Sequence, residues 1–81
     1  MKAEKIKKHI SKILDRKHHI ELKDKSLIIT LFNQTPKGEI SFEVPFSMNN
    51  LFKLKDCEFD NYLFTSISMM EDIVLELPNE T

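Results

Sequence analysis

The spacing of apolar residues changes period along this chain, and that change dictates two kinds of element. Between Lys2 and Lys17, the residues Ala3, Ile6, Ile10, Ile13 and Leu14 fall within one arc at helical spacing. This predicts an amphipathic helix with a stripe that must be buried. From Ile20 onward the period shortens. Ile20-Glu21-Leu22 alternates until Asp24-Lys25 breaks the pattern, and Leu27 to Phe32 is nearly all apolar, as an interior strand is. Asn33 to Gly38 supplies turn chemistry, with Pro36 fixing φ and Gly38 tolerating positive φ. The third strand alternates most clearly, with Ile40, Phe42 and Val44 on one face and Glu39, Ser41 and Glu43 on the other.

Beyond Pro45, Ser47 is placed to cap a short second helix near residues 47–53 that presents Leu51, Phe52 and Leu54. Asp56 to Asp60 alternates again, and Tyr62 to Ser68 and Ile73 to Leu77 read as further strands, joined through Met69-Met70-Glu71-Asp72. The expected fold class is α+β: an N-terminal amphipathic helix packed on an antiparallel sheet of four to five strands. With 81 residues, one small domain is expected over 1–81, with 78–81 as a free tail.

Charge is sorted along the chain. Met1 to Lys25 hold nine Lys/Arg against four Asp/Glu, whereas Asp56 to Thr81 hold seven acids and no base. The net charge of -1 therefore conceals a dipolar molecule, expected to associate in a salt-sensitive way. The bases lie on a helix face: Lys2, Lys5, His9, Lys12 and Arg16 share a narrow arc about 20 Å long. Such a face can follow phosphates or an acidic partner, although no aromatic residue is interleaved with it to stack bases. A solvated helix face is its plainer meaning.

The acids form a second candidate. If Asp56 to Asp60 is extended, Asp56, Glu58 and Asp60 project together at about 6.6 Å intervals, with Glu71 and Asp72 nearby. A ridge of that kind imitates a nucleic-acid backbone, and it also suits an edge strand protected against aggregation. A third candidate is an apolar contact patch of Phe46, Met48, Phe52, Met69 and Met70, whose alternative role is to fill the core. One long helix cannot cover both faces of a sheet. Ile28 and Phe32 on the second strand are therefore expected to need a partner or a second subunit, which makes a homodimer an expectation too.

Several chemistries are excluded by composition. With Gly38 as the only glycine, neither a phosphate-binding loop nor a dinucleotide-binding turn can be built. One cysteine and three histidines make no standard structural zinc set. The triplet Asp56, Glu58, Asp60 opens like a calcium loop, but Asn61 replaces the turn glycine and Ile67 the bidentate glutamate. No catalytic residue, cofactor or metal site is expected. Cys57 sits between two acids that weaken it as a nucleophile. It cannot form an internal disulfide, so a reducing, cytoplasmic setting is expected. No secretory or membrane-spanning segment is expected, and a membrane partner is disfavoured.

The functional expectation is a non-enzymatic protein-binding module, a small regulator or inhibitor of bacterial or phage origin. The alternative is a nucleic-acid-binding protein that uses the basic N-terminal helix face.

Overall fold

The computed structural model describes residues 3–76. Lys2, Leu77 and the expected tail at 78–81 lie outside them. The elements run α1 (Ala3–Ile13), β1 (His18–Lys23), β2 (Ser26–Thr35), β3 (Gly38–Ser47), α2 (Met48–Lys53) and α3 (Asp56–Glu76).

The sheet is an antiparallel meander in the order β1-β2-β3. Its register pairs Ile20 with Ile29 and Ile29 with Val44, so the apolar rows of three strands coincide on one face. Leu27, Ile29 and Leu31 of the central strand are fully buried there. A one-residue slip would turn this row to solvent, which is why the alternation in β3 fixes the register. The expected six-residue turn contracts to a two-residue loop, Pro36-Lys37, because Thr35 pairs with Gly38. Gly38 has φ of 122°, a value that L side chains rarely adopt, and the Thr35 hydroxyl donates to its carbonyl at 2.7 Å.

Both long helices cover the same face of the sheet. α1 buries Ile6 and Ile10, with Leu14 just beyond its end, while α3 buries Phe59, Leu63 and Ile67. All six join one core with Phe42, Val44, Phe46, Met48 and Leu51. Ser47 caps α2, its hydroxyl accepting from the Asn50 N–H at 3.4 Å.

The α+β class and the helix packed on an antiparallel sheet agree with the sequence expectation, but the sheet has three strands rather than four to five. The strands expected at Asp56–Asp60, Tyr62–Ser68 and Ile73–Leu77 are all parts of one helix over their described residues. The physical reason is the longer period. Phe59, Leu63, Ile67, Met70 and Val74 recur at intervals of four and three, and all five are buried or packed against the core. No glycine or proline interrupts residues 56–76. Lys55 stands at the N-cap, and its backbone N–H donates to Glu58 Oε1 at 3.0 Å, the reach-back half of a capping box. The first helix is shorter than expected and ends at Ile13, and β1 opens at His18, ahead of the alternation that begins at Ile20.

Candidate functional site

The two halves of the charge dipole meet in the cleft between α1 and α3. His9 Nε2 lies 2.7 Å from Asp60 Oδ1 near one end. Since an ionised carboxylate only accepts, that nitrogen carries the hydrogen and donates it. The His9 ring also meets Phe59 edge-on, with centroids 5.5 Å apart. Toward the other end, Arg16 donates to Glu71 Oε2 at 3.2 Å, to the Phe32 carbonyl at 3.1 Å and to Asn33 Oδ1. The Asn33 amide donates to the same Glu71 oxygen at 2.8 Å. Arg16 thus ties the segment after α1 to the end of β2 and to the last third of α3.

The basic face is therefore divided. His9 and Arg16 are turned into contacts within the chain, while Lys5 and Lys12 are exposed and Lys2 lies outside the described residues. The acidic ridge does not form as a ridge, because residues 56–60 are helical. Asp60 faces α1, Glu58 caps its own helix, and Asp56 is exposed in the first turn. Acids in the first turn suit the positive end of the helix dipole. Glu71 belongs to the Arg16 cluster and Asp72 is exposed. Asn33, read from the sequence only as a turn residue, is the member that sequence reasoning missed. Its signal was its parity with Leu27, Ile29 and Leu31, which places it on the helix-covered face.

The apolar patch is also redistributed. Phe46 and Met48 are buried and Met70 packs against the core, whereas Phe52 and Met69 are exposed. Further large apolar side chains join them at the surface: Phe52 is 47%, Tyr62 38%, Phe64 44%, Met69 62%, Ile73 55% and Leu75 42% exposed. All six lie on α2 and α3. On the opposite face of the sheet, Ile28 and Phe32 are half-buried, and the Lys17 ammonium sits 4.6 Å from the Phe32 ring centroid. The lysine covers part of the surface for which a partner was expected.

Cys57 is exposed near the start of α3, where it lines an open groove with Leu54, Glu58, Asn61, Tyr62 and Thr65. Among the described residues, no group of three or more His, Cys, Asp or Glu side chains is placed to hold a metal ion. No helix among them is long and apolar enough to cross a membrane. Comparisons with protein-family models, curated proteins and solved structures found no match.

Proposed function

We propose that this chain is a non-enzymatic protein-binding module that works by occupying a surface on a partner, as a small regulator or inhibitor does. The observation that carries the reading is the concentration of exposed large apolar side chains on α2 and α3. Scattered apolar residues are ordinary on a soluble protein, but Tyr62, Met69 and Ile73 share one flank of α3, and a contiguous exposed group of that kind supports a contact surface. Methionine and aromatic side chains are also the types that protein contacts favour.

The nucleic-acid alternative loses support from the same geometry. Two of the five candidate bases, His9 and Arg16, are engaged with Asp60 and Glu71, and the acids of α3 lie beside what is left of the basic face. Phosphate binding depends on the number of free cations presented together, so this division weakens it.

A photo-reactive residue placed at Met69, with another at Lys8 on α1 as the control, tests the proposal in cells. Cross-linking of a discrete protein from position 69 and not from position 8 is expected. Cross-links to nucleic acid from position 8, with none to protein from position 69, would contradict it.

A further inference from the structure

The helix layer is wider than the sheet beneath it. Two helices packed side by side cover about 20 Å, whereas three strands cover about 14 Å. α1 lies over β1 and α3 over β3, so part of the surplus width falls beyond the β3 edge. On α3, Asp60 faces α1, and Glu71 faces the segment after α1 and the end of β2. Tyr62, Met69 and Ile73 fall within about 40° of one another on the opposite flank. All three are exposed, and the Tyr62 ring meets Phe46 of β3 edge-on at 6.0 Å between centroids. An apolar flank thus overhangs the edge of the sheet.

Below that flank the edge strand is open. The Met48 N–H donates to the Lys25 carbonyl at 2.8 Å. This fixes the parity of the ladder: even-numbered residues of β3 direct their backbone groups at β2, and Glu39, Ser41, Glu43, Pro45 and Ser47 direct theirs outward. Pro45, which lacks an N–H, stands at an outward position, where an edge strand tolerates proline. The N–H groups of Glu39, Ser41 and Glu43 bond to no other element among the described residues.

Charge decides what fits there. Glu39 and Glu43 project from the open face of the sheet at this edge, and α3 carries acids and no base. Lys17 reaches Glu39 at 3.6 Å, while Glu43 has no ion pair among the described residues. A second copy pairing its own β3 antiparallel about Ser41 would set Glu39 opposite Glu43 twice. Pairing about Glu43 would oppose two copies of that carboxylate. An extended segment with apolar residues at alternate positions and Lys or Arg between them meets the α3 flank with one face and the carboxylates with the other.

We infer that the β3 edge, roofed by Tyr62, Met69 and Ile73, accepts an extended basic and apolar peptide of a partner protein as a fourth strand. This rests on the protein-binding reading and names the chemistry of the partner. The main-chain bonds supply affinity, and the alternating side chains supply selection.

The test uses the full chain and a fluorescein-labelled heptapeptide, Lys-Val-Lys-Ile-Lys-Val-Lys. Controls are the same peptide with Glu for Lys and a version N-methylated at every backbone nitrogen. Saturable binding of the first alone is expected, with protection of the Glu39, Ser41 and Glu43 amide hydrogens from exchange. Glu43→Lys should weaken it about tenfold, which is about 1.4 kcal/mol, and Met69→Glu with Ile73→Glu should abolish it. Absence of binding, equal affinity for the N-methylated peptide, or protection confined to other amides overturns the inference. Doubling of the chain's mass in light scattering, with the Glu39, Ser41 and Glu43 amides protected in the absence of peptide, assigns the edge to a second copy and also overturns it. If the peptide fails while protein cross-links from position 69 persist, strand addition falls alone. If both fail, the protein-binding reading falls with it.

Discussion

Arg16, the only arginine of the chain, donates to Glu71 at 3.2 Å across 55 positions of sequence. Their side chains are 30% and 26% exposed, so solvent screens the pair only in part. Arg16→Ala also removes the bonds to Asn33 and the Phe32 carbonyl, and a loss of about 1–2 kcal/mol is expected in urea unfolding. Arg16→Lys should recover little of it, because all three contacts are made by the terminal Nη2, which the ammonium of the shorter lysine side chain does not reach from the same backbone position. An unchanged midpoint in Arg16→Ala would show that the cluster does not hold α3 in place.

The helical assignment of residues 56–76 makes an opposite prediction for two nearby positions. Leu63 is fully buried and Thr65 exposed. Leu63→Ala is expected to cost about 3 kcal/mol, and Thr65→Asp less than about 0.5 kcal/mol. In a strand both side chains would point the same way. Equal, large losses by chemical denaturation would restore the strand reading.

Glu58 closes the first turn of α3 by accepting from the Lys55 N–H. Glu58→Ala should therefore cost about 0.5–1 kcal/mol, and Glu58→Gln should retain most of the stability because an amide oxygen also accepts. A Gln variant as weak as the Ala variant would assign the effect to charge at the helix terminus instead.

Where the sequence was informative, its signals were local and redundant. Ala3 to Leu14 has one apolar arc, β3 has strict alternation, and Ser47 has a capping side chain, so α1, the hairpin and α2 were all legible. Residues 56–76 were not, because five-residue windows there carry a false period of two: Asp56-Cys57-Glu58-Phe59-Asp60 alternates, and Tyr62 to Ser68 is rich in aromatic and β-branched residues. Only the stripe from Phe59 to Val74, which needs a window of about 15 residues to see, reveals the helix. The same error built the acidic ridge, since its carboxylates share a face only in an extended chain. The pairing of the charged halves could be suspected from their sorting along the chain, but the identity of the partners depended on how α1 and α3 lie side by side.

Division of the basic face leads to a negative expectation for nucleic acid. Immobilised single- and double-stranded oligonucleotides should fail to retain the chain at about 50 mM salt, conditions that favour phosphate contacts. Retention at that salt, lost on Lys5→Glu and Lys12→Glu, would contradict the division of roles and favour the nucleic-acid alternative.

The central claim is that the outer flank of α3 is a protein-contact surface and not part of what holds the fold together. Its most direct measurement is capture from cell lysate by tagged wild-type chain and by a Met69→Glu, Ile73→Glu variant of matched thermal stability. With both side chains more than half exposed, folding should be unchanged. A specific protein retained by the wild type and lost by the variant is the predicted result. Identical capture profiles for the two chains, at equal stability, would contradict the claim.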